Sequence, residues 1–432
     1  MQSPLENNSR VCKEYVASER SGMLITHTVA NWATQTGGQM EEFQEQEYEF
    51  LRKLDEDKLD RRRLLKRGLV AGAGLTVLSA PAAALAARQK ALAAPPLLGR
   101  SISLAEIVKE AKKEGQLNVI ALPHDWSNYG EVISTFKKKY GLKVDEQNDQ
   151  GSSAQENQAL RDLKGDSRAP DVVDVSPPFA IDGANEGLYA RYYTTNFRTV
   201  PRSQKDGRGL WVGDYWGAIS IGANQNIVKN PPKTFADLLK PEYKNQVALN
   251  GSPLTSGSAR AGVFAAALAN GGSLSNVQPG LDFFKKLKAV GNFIPIGGSP
   301  QTVASGQTPI VIDWDYLNLV YTAEFPAAKW TATIPADGVY GAYYCQGVSA
   351  TAPHPWAARL WQEFLYSDQG QLLFLKGFAH PCRFPDMVAR KVVPAALLKA
   401  LPSPALYAKV KFANRKQNTD SKALIVAQWP NI

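Results

Sequence analysis

The sequence predicts an α/β fold for the part of the chain that follows residue 100. Apolar runs of the length of buried strands alternate there with segments that carry an apolar stripe at helical spacing. This alternation is typical of parallel sheets covered by crossover helices. Hydrophobic residues make up 44% of the 432 residues and charged residues 21%, which excludes a disordered or disulfide-dense chain.

The first half of this region contains well-marked elements. Ser103 and Glu106 form a capping-box pattern that predicts a helix through Ala111, and the next apolar run predicts a strand over 117–122. The same patterns predict a helix over 129–140 and strands over 143–146, 171–175 and 218–222.

The second half continues the alternation. Thr234 and Asp237 are typical of a helix cap, and we expect that helix to end before Pro241. Ser256-Gly257-Ser258 precedes an alanine-rich segment that predicts a helix over 259–270. The remaining expected elements are strands over 246–249 and 309–312, an amphipathic helix over 283–290, and one long or two short helices over 356–374.

Residues 1–86 have the composition of a leader. The basic stretch 60–67 precedes an uncharged run over 68–87, and Ala84-Leu85-Ala86 offers a cleavage site of the small-x-small type. Glycines and Pro81 make the run weakly hydrophobic, so we expect cleavage rather than a membrane anchor.

The basic stretch also suggests a route of export. Arg61 and Arg62 resemble the twin-arginine signal, with Asp60 where serine or threonine is usual. Because such signals normally lie near the start of a chain, we expect translation to begin near Met40; a genuine long leader is the alternative.

Charge and metal-binding residue types exclude several classes of function. The net charge of +9 comes from dispersed lysines and arginines, which favours a solvated surface over a nucleic-acid interface. The four histidines and three cysteines lack metal-ligand spacing, so we expect no metal and no cofactor. Cys345 and Cys382 are the cysteines that remain after the leader, and whether they form a disulfide is left open.

Several motifs follow one another in a characteristic order after the leader. They are the strand 117–120, the helix start Trp126-Ser127-Asn128-Tyr129, and the segments 136–144, 171–175, 215–224 and 234–244. In this order they resemble the solute-binding proteins of ABC importers, in the subgroup that includes spermidine/putrescine, ferric-ion, thiamine and phosphonate binders. The most specific motif is the last one, with its Asp-Leu-Leu-Lys-Pro-Glu-Tyr-Lys run.

The resemblance implies a two-lobed, type II periplasmic-binding-protein-like fold in which two hinge strands join the lobes. We expect lobe 1 over 101–218 plus 344–392 and lobe 2 over 219–343 plus 393–432. The implied partners are a small-molecule ligand and the permease subunits of an ABC importer. We expect a periplasmic monomer that binds no nucleic acid.

The resemblance also implies where the ligand lies, namely between loops at strand ends and helix N-termini, where backbone N–H groups favour anions. Ser256, Ser258 and Arg260 have suitable chemistry for an anionic group, although an ordinary helix cap is the alternative interpretation. The expected ligand-binding residues are Trp126, Asn128, Tyr129, Ser256, Gly257, Ser258, Arg260, Trp314, Asp315, Tyr344 and Gln346.

The same positions bear on the class of ligand. Trp126, Trp314 and Tyr344 match ring positions of polyamine binders, but Asn128 and Gln346 stand where carboxylates are expected. These departures favour a small polar ligand with an anionic or zwitterionic group. A polyamine is the alternative, since Asp313 and Asp315 flank Trp314. A ferric ion is a weaker alternative, because the tyrosine pair expected near this strand is reduced to Tyr316.

An exported enzyme is the other weaker alternative. The sequence has no Gly-x-Ser-x-Gly elbow, no P-loop and no His-Glu-x-x-His motif. His124 beside Asp125 could serve as a lone base, but a loop histidine is the simpler interpretation. We therefore expect a receptor without catalytic residues.

Overall fold

A computed structural model describes residues 102–432 of the protein. The predicted leader, its twin-arginine motif and the start near Met40 lie outside these residues. Within them are ten strands and fourteen α-helices, and the two types alternate as predicted up to residue 190. None of these helices is both long enough and apolar enough to cross a membrane.

The strands are β1 (Gln116–Ile120), β2 (Lys143–Gln147), β3 (Val172–Val175), β4 (Tyr189–Ala190), β5 (Val212–Asn224), β6 (Val247–Leu249), β7 (Ile310–Trp314), β8 (Trp330–Thr333), β9 (Gly341–Ser349) and β10 (His380–Pro381). The first seven helices are α1 (Leu104–Glu114), α2 (Tyr129–Tyr140), α3 (Ser153–Asp162), α4 (Pro177–Asn185), α5 (Gly257–Ala269), α6 (Gln278–Ala289) and α7 (Pro300–Ala304). The others are α8 (Asp315–Glu324), α9 (Pro355–Leu365), α10 (Asp368–Lys376), α11 (Phe384–Ala389), α12 (Ala395–Lys399), α13 (Pro404–Tyr407) and α14 (Arg415–Gln428).

Strand β5 is the element that two groups of strands share. Its first part pairs with β9 and its second part with β7, and all thirteen of its residues are buried. The first sheet consists of β3, β4, β9, β10 and the start of β5, and the second of β6, β7, β8 and the end of β5. Only β6–β7 and the separate β1–β2 pair are parallel among the described strands, so the sheets are mixed rather than parallel.

Local chemistry decides the outcome at two expected helices, of which the first confirms one of the two alternatives and the second differs from the prediction. The segment 356–374 forms two helices, because Ser367 caps a second one by accepting a hydrogen bond from the Gly370 N–H. The helix expected before Pro241 is a single 3-10 turn, Asp237–Leu239, followed by another at Pro241–Tyr243. Proline disfavours the α conformation of the residue before it, so an α-helix does not continue into Pro241.

The two cysteines of the described residues are both buried and free. Cys345 of β9 pairs with Gly213 of β5, whereas Cys382 donates its N–H to Asp214 on the other edge of β5. Strands separated by a shared neighbour are about 10 Å apart, and a disulfide requires Cα atoms within about 7 Å. The two thiols are unbridged in this structure.

Candidate functional site

A cavity of about 220 Å³ lies where loops and helix starts next to the two sheets face each other. The first wall consists of Ala121, Pro123, Asp125, Trp126, Gln150, Gly151, Ser152, Ser153, Glu156, Asp174 and Tyr344. The second wall consists of Asn250, Gly251, Thr255, Ser256, Gly257, Ser258, Gly298, Ser299, Pro300, Leu317 and Tyr321.

Five of the expected ligand-binding residues line this cavity, namely Trp126, Ser256, Gly257, Ser258 and Tyr344. The other six, Asn128, Tyr129, Arg260, Trp314, Asp315 and Gln346, lie outside the lining. Their direct contact with a ligand stays a prediction from the sequence.

The N-terminus of α5 forms part of the second wall. The Ser256 Oγ accepts a hydrogen bond from the Ala259 N–H at 3.3 Å and donates to the Asn250 carbonyl oxygen at 2.8 Å. The Ser258 hydroxyl lies 2.9 Å from that of Ser256. Ser256 is thus an ordinary helix cap and a cavity residue at once, so the two interpretations of this motif are compatible.

Gly257 lies where the two walls come into contact. A Cβ atom at this position would lie 2.5 Å from the Ser176 Cβ and 2.6 Å from its Oγ. Ser176 follows β3 of the first sheet, while Gly257 begins α5, so only glycine allows this close approach.

Arg260 does not line the cavity. Its Nε donates to the Pro253 carbonyl oxygen at 2.6 Å and an Nη donates to that of Leu254 at 2.9 Å. The guanidinium also lies 4.9 Å from the ring centroid of Phe179 on α4. Burial lowers its pKa to about 10, which still leaves it charged at neutral pH. In this arrangement Arg260 supports the loop that leads into α5.

An aromatic cluster backs the first wall. The Trp126 indole N–H donates to the Tyr215 hydroxyl at 2.8 Å, and the Tyr215 and Tyr344 rings stack at 5.5 Å. Trp314 is buried behind the wall, where its indole N–H donates to the Tyr344 hydroxyl at 3.4 Å. Trp314 therefore supports Tyr344 instead of lining the cavity.

Trp126 should report occupancy of the cavity by its fluorescence. We expect the Trp126→Phe variant to lose most of the change in indole emission that a bound ligand causes, because Trp126 is a partly exposed tryptophan of the lining. Trp429→Phe is the matched control, since that partly buried ring packs on Phe284 away from the cavity. An unchanged emission response in Trp126→Phe would place the ligand elsewhere.

Asp174 of β3 presents a carboxyl to the cavity from within a buried strand. Its Oδ2 accepts hydrogen bonds from the Tyr129 and Tyr215 hydroxyls, both at 2.8 Å. Its Oδ1 is buried and has no hydrogen-bond partner. Burial raises the pKa of Asp174 to about 7. Because a buried unpaired carboxyl oxygen is costly, this atom is a natural acceptor for a ligand donor.

Glu156 and Gln346 complete the polar surroundings of Asp174. The Glu156 Oε2 accepts the Asp174 backbone N–H at 2.7 Å, and burial raises the pKa of Glu156 well above its usual value. The Gln346 amide donates to the Tyr129 hydroxyl at 3.0 Å and to the Asp214 Oδ2 at 3.1 Å. Gln346 and Tyr129 therefore position Asp174 from behind.

The remaining expected residues have structural partners. The Asn128 amide donates to the Glu131 carboxylate and to the Leu373 carbonyl oxygen. Asp315 accepts the Ala218 N–H and the Tyr407 hydroxyl, and burial raises its pKa to about 7. Asp313 accepts the Asn250 amide at 2.6 Å, so it orients a residue of the second wall.

Sequence reasoning missed most of the polar lining. The cavity residues that it did not single out as ligand-binding include Asp125, Ser152, Ser153, Glu156, Asp174, Asn250, Thr255, Ser299 and Tyr321. One available signal was Asp174, a carboxyl in the otherwise apolar run Val172–Val175. Another was the pair Ser152-Ser153 at a helix start.

The described residues offer little support for a metal site or for a catalytic base. No group of three or more histidine, cysteine, aspartate or glutamate side chains within 102–432 could hold a metal ion. The His124 ring lies 2.5 Å from the Glu146 carboxylate and is largely exposed. It does not line the cavity, so a role as a base there has no structural support.

The sequence matches the family described as "Bacterial extracellular solute-binding protein" over residues 167–418. The chain belongs to this family. This family match confirms the resemblance found in the sequence and identifies the protein as a solute-binding receptor of an ABC transporter. No curated protein sequence matches the chain.

Solved structures of periplasmic binding proteins have the same two-lobed α/β fold as this solute-binding protein. AfuA of Actinobacillus pleuropneumoniae, with fructose-6-phosphate bound, is 17% identical, with a TM-score of 0.59 over 73% of this chain and 98% of that one. AgtB of A. tumefaciens in complex with agropinic acid has 17% identity and a TM-score of 0.58 over 73% and 98% of the chains. A putative spermidine/putrescine ABC transporter protein of Listeria monocytogenes is 15% identical, with a TM-score of 0.54 over 72% of this chain and 98% of that one. The predicted fold class is confirmed.

Proposed function

We propose that this solute-binding protein captures a small zwitterion in the cavity and delivers it to the permease of an ABC importer. The observation that carries the proposal is the unequal chemistry of the two walls. The carboxyls of the lining, Asp125, Glu156 and Asp174, all belong to the first wall. The second wall contains hydroxyls, an amide and a helix N-terminus, with no carboxyl.

The first wall suits a cationic group. The unpartnered Asp174 Oδ1 can accept a hydrogen bond from an ammonium group, and the Trp126 and Tyr344 rings offer negative faces beside it. The pKa values of Asp174 and Glu156 are raised by burial, and a bound cation would favour their ionised forms.

The second wall suits an anionic group. The thirteen-residue helix α5 begins at Gly257, and its dipole favours negative charge there. The hydroxyls of Thr255 and Ser299 line the same space and can donate to such a group, whereas those of Ser256 and Ser258 lie within hydrogen-bonding distance of the Asn250 carbonyl oxygen. At about 220 Å³ the cavity is smaller than the range of about 300–1,000 Å³ for drug-sized ligands, which favours a compact solute.

A polyamine is the second candidate, and the three carboxyls with their aromatic neighbours favour it. Calorimetric titration with 4-aminobutanoate, 2-aminoethylphosphonate, methylphosphonate and spermidine separates the two. We expect a compound with both charges to bind at least about tenfold more tightly than methylphosphonate or spermidine, since each lost charged hydrogen bond costs about 1.5–3 kcal/mol. Tightest binding of spermidine would establish the polyamine instead.

We further propose that the receptor reaches the periplasm by the twin-arginine route, works as a monomer, and has the lobe boundaries expected from the sequence. The shared strand β5 supports those boundaries, because its pairing partner changes from β9 to β7 at residues 218–219.

Replacing Arg61 and Arg62 by lysine should retain the full chain in the cytoplasm, as fractionation would show. Undiminished export of that variant would exclude this route.

A further inference from the structure

Three carboxyls meet beside the cavity and form what we term the carboxyl cluster: Glu156 of α3, Asp174 of β3 and Asp214 of β5. The Glu156 Oε2 lies 2.7 Å from the Asp174 N, and the Tyr129 hydroxyl lies 2.8 Å from the Asp174 Oδ2 and 3.3 Å from the Asp214 Oδ2. The three residues are 2%, 4% and 0% exposed. Asp174 and Asp214 therefore share the Tyr129 hydroxyl as a partner, and all three residues of the cluster are buried.

The partners of the cluster in the described part of the chain are neutral. They are the Tyr129 hydroxyl from α2, the Tyr215 hydroxyl and N–H from β5, and the Gln346 amide from β9. The other titratable groups that face the cluster are Tyr189, Tyr316, Tyr344, Tyr366, Cys345 and Cys382, whose pKa values burial raises well above their usual range.

Three adjacent buried carboxylates without a cation would repel one another and would each pay a desolvation cost. Protonation of at least one carboxyl near neutral pH would avoid both costs. Burial accordingly raises the pKa of Asp174 to about 7 and, together with the nearby Asp174 charge, raises that of Asp214 well above its usual value.

We propose that capture of a ligand that carries a cationic group expels one proton from the carboxyl cluster, an inference that rests on the proposed function. The ammonium group of the ligand donates to the ionised Asp174, a lining residue whose buried Oδ1 has no hydrogen-bond partner. The proton that the cluster held passes to the solvent, so one positive charge enters the site as another leaves it. Ligand capture is then coupled to pH.

The sign of the coupling follows from linkage. The free cluster binds a proton below about pH 7, and the bound cation lowers the pKa of the same carboxyl. Binding must therefore displace a proton at low pH, and affinity falls by up to about tenfold per pH unit below pH 7. Above this range Asp174 is already ionised in the free protein, so its deprotonation no longer makes the affinity depend on pH.

Calorimetry of the full protein with 4-aminobutanoate tests this inference, because neither charge of that probe titrates between pH 5.5 and about 8.5. Titrations in two buffers of different protonation enthalpy give the number of protons released. We expect close to one proton at about pH 6 and close to none at about pH 8.5, with affinity at least about fivefold weaker at the lower pH.

Two variants keep the test independent of any one substitution. Asp214→Asn and Glu156→Gln each remove one acidic neighbour of Asp174 while retaining an acceptor oxygen, so both should lower the proton release at pH 6 and flatten the pH dependence. Glu106→Gln on the exposed face of α1 is the matched control and should behave as the wild type does.

The outcomes separate this inference from the proposed function. Binding of 4-aminobutanoate without proton release at pH 6, or release that both variants leave unchanged, overturns the coupling alone. Binding of spermidine with proton release supports the coupling and overturns the zwitterion. Binding of methylphosphonate alone, or of no compound in the panel, overturns both.

Discussion

The Asp174→Asn variant should lose most of its affinity for any ligand that carries an amine. Asp174 supplies a buried, unpartnered carboxyl oxygen at the cavity, and asparagine in its place cannot balance a positive charge. A hydrogen bond to a charged group is worth about 1.5–3 kcal/mol, so we expect dissociation constants for 4-aminobutanoate to rise about 10- to 150-fold. Calorimetric titration of both proteins measures the effect.

Two comparisons make this result specific. Asp282→Asn, on the exposed surface of α6, removes the same charge far from the cavity and should bind as the wild type does. The affinity for methylphosphonate should change little or increase in Asp174→Asn, because a repelling carboxylate is lost. Equal losses for methylphosphonate and 4-aminobutanoate would indicate a damaged site and contradict a cationic subsite at Asp174.

The Gly257→Ala variant should bind at least about tenfold more weakly while remaining folded. The added Cβ would come within 2.5 Å of Ser176, so the two walls cannot approach as they do here. A more open arrangement of the two walls would relieve this clash and leave each core intact. The ligand contacts that require both walls would then be lost. Affinity by calorimetry and compaction by small-angle scattering at saturating ligand are the measurements.

Gly207→Ala is the matched glycine control for this variant. It has no atom within 4 Å of the added Cβ and no positive φ, so it should bind and compact normally. Far-UV circular dichroism of Gly257→Ala should match the wild type, because alanine favours the helical conformation at the start of α5. Wild-type affinity in Gly257→Ala would show that the walls need not meet at this point.

The sequence predicts where the helices and strands of this protein lie better than it predicts which of their side chains face the cavity. Helix α2 is observed at the predicted limits, Tyr129–Tyr140, because its apolar stripe and the glycine after it are local features. The α/β class and the family are likewise recoverable from order and spacing. The shared strand β5 is longer than the predicted 218–222, since burial on both faces leaves no alternation to mark its limits.

The site was harder to predict, because it depends on contacts between distant segments. Arg260 is a plausible anion ligand in the sequence, but the carbonyl oxygens of Pro253 and Leu254 engage it in the fold. Asp174 lies in a run that otherwise indicates core, and only the tertiary structure shows that one of its oxygens has no hydrogen-bond partner. Local pattern gives the position of such a residue, whereas packing decides its partners.

The identity of the natural ligand tests the central claim most directly. Mass spectrometry of small molecules released by denaturing the protein, purified from its native host without added ligand, measures it. A cytosolic extract of the same host and the Gly257→Ala variant purified in parallel correct for nonspecific carry-over. We expect one enriched compound that carries both an amine and an acidic group; enrichment of spermidine or of another compound with only cationic groups would contradict the account.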